Sequence, residues 1–224
     1  LLQTGALEFD ASTFEIWGAL LNGGTLYLAA KEKIVTAETL KEIVRKYMIN
    51  TMWLTSPLFN RLCRVDVEIF EGLKYLLVGG DVLSPLDIDN LRARHPRLKV
   101  INGYGPTENT TFSTTYLIEK KHTGNIPIGR PIANSTAYIA GRSGHLQPVG
   151  VPGELWVGGD GLARGYLNNP ELTADKFLTA NNSPFTLHPS PLYKTGDLAR
   201  RLFNGNIEFI GRIDQQVKIR GFRI

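Results

Sequence analysis

A single cysteine, Cys63, is all the thiol chemistry these 224 residues hold. That excludes an intrachain disulfide and a cysteine-built metal site, and a reducing, cytoplasmic compartment is the expectation. Four histidines, His95, His122, His145 and His188, are scattered without the spacing of metal ligands or of a catalytic triad. No apolar run approaches the ~20 residues of a membrane-spanning helix, and no secretory-leader pattern opens the chain, so no membrane association is expected. Lys+Arg 25 against Asp+Glu 21 leaves +4, and the basic residues are dispersed apart from short clusters such as Arg92-Ala-Arg94 and Lys218-Ile-Arg220. Such a surface is solvated; nucleic-acid binding needs a clustered basic face or an aromatic platform, and the sequence offers neither.

What is present is 42% hydrophobic composition, enough for one large core or two small ones. Up to about residue 113 the pattern alternates strands and helices. An opening strand is followed by a helix that Asp10 or Ser12 caps, with Phe14, Trp17 and Leu21 on one face and Gly23-Gly24 at its end. Thr25 to Ala29 then reads as a strand. Next come a helix from Thr36 with Leu40, Ile43, Val44, Tyr47 and Met48 at helical spacing, a strand at Thr51 to Leu54 and a helix near Pro57 to Arg64. A strand at Lys74 to Val78, a helix opened by Ser84-Pro85 and a strand at Leu98 to Ile101 complete the alternation. Alternation of this kind predicts a parallel sheet with helices packed on it, and in such sheets ligands bind beyond the carboxyl ends of the strands. From Ser113 onward short β-like runs separated by turns predict an all-β unit: Thr114 to Ile118, Ser135 to Ala140, Gly153 to Val157, Tyr193 to Leu202 and Asn206 to Ile210. Thr173 to Leu178 reads as a short helix, and residues 180–191 as an irregular loop. The chain opens without methionine and stops inside a strand-like run, so we expect a segment of a longer polypeptide.

Two strand ends carry glycines, Val78-Gly-Gly-Asp81 and Ile101-Asn-Gly-Tyr-Gly-Pro-Thr-Glu-Asn109. In the second, Pro106 restrains the turn and presents Thr107 beside Glu108, a hydroxyl and a carboxylate suited to a phosphate and its Mg²⁺. Taken alone it is equally a plain surface turn. Asp197, after the tight turn of Tyr193-Lys-Thr-Gly-Asp-Leu198, suits a ribose diol or merely caps its turn. Gly153-Glu-Leu-Trp-Val-Gly-Gly-Asp-Gly-Leu-Ala-Arg-Gly-Tyr-Leu167 is glycine-dense, and its composition favours a structural turn over a site, although Arg164 could reach an anion.

Those stretches, with Phe9-Asp-Ala-Ser12 before them and Gly211-Arg-Ile-Asp-Gln-Gln-Val-Lys-Ile-Arg-Gly-Phe-Arg-Ile224 after, stand in one order. In that order they resemble the core motifs of adenylate-forming enzymes, and more narrowly the amino-acid adenylation domains of non-ribosomal peptide synthetases. The resemblance covers essentially the whole chain. It implies an α/β fold in which a parallel-sheet subdomain (1–113) precedes a smaller β-barrel-like subdomain (114–211), with 212–224 as hinge and start of a C-terminal lobe. It implies an enzyme that condenses an amino acid with Mg·ATP to aminoacyl-AMP and pyrophosphate. The acyl group then passes to the phosphopantetheine thiol of a peptidyl carrier domain, with a condensation domain as further partner. Carried over by motif, Thr107 contacts phosphate and Glu108 holds Mg²⁺. Gly80, Asn102, Gly103 and Tyr104 border the nucleotide, with Asn102, Tyr104 and Phe209 at the adenine. Asp197 binds the ribose with help from Arg212, and Asp214 is the hinge.

The same resemblance implies a substrate pocket of Asp10, Ala11, Phe14, Trp53, Leu77, Gly79, Gly103, Thr111 and Phe112, similar to valine-activating domains. Asp10 pairs with the substrate α-ammonium; the remainder fits a short branched aliphatic side chain, with isoleucine or leucine close behind. The family's lysine-bearing phosphate loop and its catalytic lysine do not occur in these 224 residues, so full activity is not expected from them alone. Two other readings stand beside this one. An acyl- or aryl-CoA ligase would not need the ammonium partner Asp10, and a non-catalytic module keeping the fold would not need Glu108 and Asp197.

Overall fold

In the computed structural model, residues 1–179, 191–214, 218–219 and 222–223 are described, and they divide into two compact units. The first comprises Leu1–Gly103, Leu117–Ile126 and the antiparallel pair Lys218–Ile219 and Phe222–Arg223; the second comprises Tyr104–Tyr116 and the described part of Pro127–Val217. The loop expected at 180–191 lies, except for Pro191, outside the described residues, as does part of 212–224.

The first unit is built on five strands, β1 (Leu2–Gln3), β2 (Tyr27–Leu28), β3 (Thr51–Thr55), β4 (Tyr75–Gly79) and β5 (Lys99–Tyr104), side by side in the order β2-β1-β3-β4-β5. Every recorded neighbour pair among them is parallel. The central strands read as near-continuous apolar runs because helices cover them, and Met52, Leu54, Leu76, Val78 and Val100 are fully buried. The helices are α1 (Ala11–Leu20), α2 (Lys31–Ile34), α3 (Ala37–Lys46), α4 (Ser56–Val65) and α5 (Pro85–Arg94). Ser84 caps α5 by accepting from the Asp87 amide at 3.3 Å, with Pro85 in the first turn where its missing N–H costs nothing. Phe59 of α4 meets Phe70 with ring centroids 5.8 Å apart, both buried, each contributing about 1.5–3 kcal/mol by burial.

Helix α1 departs from the expected pattern. Its buried residues are Ala11, Ser12, Glu15 and Ala19, whereas Trp17 and Leu21 are 53% and 77% exposed. Asp10 occupies the cap position without capping through its side chain, and the Ser12 hydroxyl donates instead to the Phe9 carbonyl at 2.8 Å. The stripe turned inward is small because the helix lies close to its neighbours, and a carboxylate completes it.

The second unit is antiparallel. β6 (Thr114–Leu117) pairs with β7 (Arg130–Pro131). β8 (Ser135–Ala140), β9 (Gly153–Gly159), β10 (Phe177–Leu178), β11 (Leu192–Arg201) and β12 (Ile207–Arg212) form a sheet ordered β10-β11-β9-β8, with β12 also on β11. Register shifts in β11, between Lys194 and Leu198 and between Leu198 and Ala199, curl the sheet into a half-barrel. It closes over Ile128, Ala137, Ile139, Leu155, Val157, Tyr193, Ala199 and Ile207. The short helix expected at 173–178 is α6 (Pro170–Lys176), capped by Asn169, and it ends in β10 because Phe177 joins the sheet.

One contact limits what the first unit's strand ends can carry. Gly79 is paired with Gly103 across β4 and β5, and a Cβ at Gly79 would stand 2.0 Å from the Gly103 carbonyl oxygen. Gly79→Ala should therefore destabilise the unit by about 1–3 kcal/mol through overpacking. Gly124→Ala, which meets nothing within 4 Å, should stay within about 0.5 kcal/mol of the parent; denaturant titration of both variants checks the contrast.

Candidate active site

The sequence-derived site residues fall on both units. Asp10, Ala11, Phe14, Trp53, Leu77, Gly79, Gly80, Asn102 and Gly103 belong to the first; Tyr104, Thr107, Glu108, Thr111, Phe112, Asp197, Phe209, Arg212 and Asp214 belong to the second.

In the first unit, parallel register sets Trp53 beside Leu77 and Gly79 beside Gly103, so residues far apart in sequence become neighbours at the strand ends. Trp53 and Leu77 are 9% and 7% exposed, and the Trp53 indole N–H is buried with no acceptor among the described residues. Gly80 follows with φ +78, a conformation that favours glycine. Asn102 is buried, its amide donating to the Ile126 carbonyl at 3.5 Å. Asp10, half-buried, and Ala11 stand at the head of α1, with Phe14 one turn on.

Glu15 is the residue that the motif reading passed over. It is fully buried, and its carboxyl accepts from the Thr4 amide at 2.8 Å and the Gly5 amide at 3.1 Å. The Thr4 hydroxyl lies 2.8 Å from Glu15 Oε1 and 2.6 Å from the Trp53 carbonyl. A hydroxyl has one hydrogen, so the Thr4 hydroxyl divides it between these two acceptors. Burial raises the Glu15 pKa above the ordinary value, against the lowering by the Thr4 and Gly5 hydrogen bonds. Glu15 thus braces the segment between β1 and α1, which the Thr4 hydroxyl ties to the Trp53 carbonyl. A carboxylate on the inward stripe of α1, where acids rarely lie unpaired, was the available signal.

In the second unit the chain after β5 is strained. Thr110 and Thr111 have φ +41 and +63, costly for β-branched residues, and a Cβ at Gly105 would meet the Thr111 carbonyl oxygen at 2.3 Å. The turn this makes exposes Thr107 and buries Glu108, whose Oε1 accepts from the Tyr166 hydroxyl at 2.7 Å. Phe112 is 9% exposed.

Asp197, Arg212, Tyr104 and Asp214 converge. Asp197 is 6% exposed; its Oδ2 accepts a short hydrogen bond from the Tyr104 hydroxyl and its Oδ1 accepts from Arg212 Nη1 at 2.8 Å. Arg212 turns the rest of its fork to Asp214, at 2.8 and 2.6 Å, and also reaches the Thr195 carbonyl at 2.7 Å. Burial works against the charge on Arg212, but the hydrogen bonds to Asp214 and Asp197 outweigh it and hold its pKa above the ordinary value. Burial first, then the Asp197 charge, pushes the Tyr104 phenol well up, so it remains a donor. Each Asp197 oxygen keeps one further lone pair beyond these bonds. Phe209 and Tyr104 each pack against the sheet core. Among the described residues no group of three or more His, Cys, Asp or Glu could cage a metal, and no helix is long and apolar enough to cross a membrane.

A family model described as AMP-binding enzyme matches residues 1–167. The chain belongs to the AMP-binding enzyme family. Within it the likeness is to the adenylation domains of non-ribosomal peptide synthetases. Over 224 residues the chain is 58% identical to tyrocidine synthase 3 of Brevibacillus parabrevis, covering all of this chain and 3% of that protein. It is 55% identical over 225 residues to surfactin synthase subunit 2 of Bacillus subtilis (strain 168), covering all of this chain and 6% of that protein. It therefore spans a small part of the curated relatives it matches. The solved structure of a holo NRPS protein containing adenylation and PCP domains, bound to a vinylsulfonamide inhibitor, superposes with a TM-score of 0.93 at 38% identity. That match covers 100% of this chain and 39% of that one. The expected succession of a parallel α/β subdomain and a smaller β-barrel-like one is the fold of this adenylation-domain family member.

Glu15 makes stability depend on pH. Because its folded pKa is raised, its contribution is full below about 4.5, its ordinary value, and declines as pH rises through the folded value. Glu15→Gln, which cannot titrate, should flatten that decline; thermal melts of parent and variant across this range check it.

Proposed function

We propose that this adenylation-domain chain activates valine with Mg·ATP, as part of a longer polypeptide, and serves a carrier-domain thiol. Asp10 carries the substrate side of the reading. A carboxylate on the unit that holds the buried Trp53 and Leu77 pairs with an α-ammonium, and the apolar neighbours accept a short aliphatic side chain. An acyl- or aryl-CoA ligase would have no use for that charge.

In the reaction the amino-acid carboxylate oxygen forms a bond to the α-phosphorus, the bond from that phosphorus to pyrophosphate breaks, and aminoacyl-AMP remains. The thiol of phosphopantetheine then takes the acyl group and AMP leaves. Catalysis of this kind is mostly positioning and charge stabilisation. Asp197 accepts from the ribose hydroxyls while Arg212 compensates its charge, and Tyr104, Phe209 and Asn102 border the adenine, with Gly80 and Gly103 allowing close backbone approach. Thr107 offers an exposed hydroxyl to phosphate. When bound, Mg²⁺ supplies charge neutralisation at the phosphates. Glu108 fits it, since one carboxylate completed by phosphate and water is a common Mg²⁺ arrangement and no protein cage is needed. Asp214, joined to Arg212, is the hinge for a C-terminal lobe. The carrier-domain partner is supported by the similar NRPS protein containing adenylation and PCP domains; a condensation domain and a cytoplasmic setting complete the proposal.

The Trp53 indole N–H favours a second reading, a side chain of valine's shape that carries an acceptor, as threonine does. Amino-acid-dependent ATP–pyrophosphate exchange by the full-length polypeptide should favour valine, with isoleucine and leucine lower by about 10–200-fold. Threonine exceeding valine would select the second reading, and activity with only aromatic or charged amino acids would overturn both. Asp10→Ala should abolish valine-dependent exchange while calorimetric ATP binding persists.

A further inference from the structure

The glycine-dense segment after β9 is locked onto the turn that carries Glu108. The Ala163 amide donates to the Glu108 carbonyl at 2.8 Å, and the Thr110 hydroxyl donates to the Gly161 carbonyl at 2.7 Å. A Cβ at Gly161 would stand 2.9 Å from the Asn109 carbonyl oxygen, so glycine is what lets the two backbones meet. The segment then returns a side chain to the same turn: the Tyr166 hydroxyl donates to Glu108 Oε1 at 2.7 Å. The Tyr193 hydroxyl lies 3.1 Å from that of Tyr166. Since a carboxylate only accepts and Tyr166 has one hydroxyl hydrogen, Tyr193 is the donor to Tyr166. Both rings are held by Phe177, at centroid distances of 5.5 and 5.0 Å, and the Tyr166 amide is fixed by the Thr173 hydroxyl at 2.9 Å.

We propose that Tyr166, backed by Tyr193, is a positioning residue that fixes the orientation of the Glu108 carboxylate toward the Mg²⁺ of the incoming nucleotide. This rests on the reading of Glu108 as the Mg²⁺ ligand. A plain packing role would need the two rings and Phe177 but not the hydroxyl chain, and phenylalanine keeps the ring while removing the donor.

The test is calorimetric ATP binding by the full-length polypeptide across a Mg²⁺ series, for parent, Tyr166→Phe, Tyr193→Phe and Glu108→Gln. Tyr166→Phe should raise the Mg²⁺ concentration at half-maximal ATP binding by about 10-fold or more, the usual effect of losing a partner behind a metal ligand. Tyr193→Phe should raise it less, because Tyr166 keeps its bond to Glu108, and valine binding without nucleotide should be unchanged in both. An unmoved midpoint in Tyr166→Phe, with Glu108→Gln shifted, overturns the positioning role alone. An unmoved midpoint in Glu108→Gln overturns the Mg²⁺ reading of Glu108 and the inference with it. Should Tyr166→Phe fail to fold, the Tyr193→Phe midpoint decides in the same two directions.

Discussion

The second unit depends on how one buried carboxylate is compensated. Taking Asp197 out of water costs several kcal/mol unless it is paired and hydrogen-bonded. Arg212 meets that cost from β12, and its geometry then dictates the surroundings. Gly196 has φ +70, and a Cβ there would come within 2.8 Å of Arg212 Nη2 and 3.2 Å of Asp214 Oδ2. The Gly196 amide is taken by Glu154 at 2.9 Å, the Asp197 amide by the Thr195 hydroxyl at 3.0 Å, and the Ile213 amide by the Gly196 carbonyl at 2.9 Å. The Tyr-Lys-Thr-Gly-Asp-Leu stretch and the Gly-Arg-Ile-Asp stretch are two halves of one hydrogen-bonded structure. The first supplies the carboxylate and the space, the second the cation.

The first unit obeys a different constraint, that of backbone proximity at the carboxyl ends of parallel strands. Gly79 leaves room for the Gly103 carbonyl, an approach that a Cβ would close. Glu15 does for the neighbouring segment what Arg212 does for Asp197, but through hydrogen bonds from the Thr4 and Gly5 amides in place of ion pairing. Both solutions keep buried acids from standing uncompensated, and each leaves a backbone segment with one conformation.

Periodicity made the alternating α/β half legible, since helices as amphipathic as α3 and strands as apolar as β3 and β4 announce themselves locally. It misassigned the inward face of α1, because close packing selects small residues there and leaves Trp17 and Leu21 outside. Motif order made the family legible. It could not disclose which motif residues touch: Tyr104 and Asp197 are 93 positions apart, and Tyr166 and Glu108 are 58 apart. Such pairings follow from strand order and register, which composition does not encode. In the glycine-dense stretch, likewise, composition could not disclose that Gly161 accommodates the distant backbone of Asn109.

The partners chosen for the two second-unit acids separate their chemistry. Asp197 is met by a guanidinium that it shares with Asp214, so its charge is offset by an ion pair. Glu108 accepts from the neutral Tyr166 hydroxyl. Two buried acids within one small unit thus accept from different kinds of side-chain donor, neutral Tyr166 at Glu108 and charged Arg212 at Asp197.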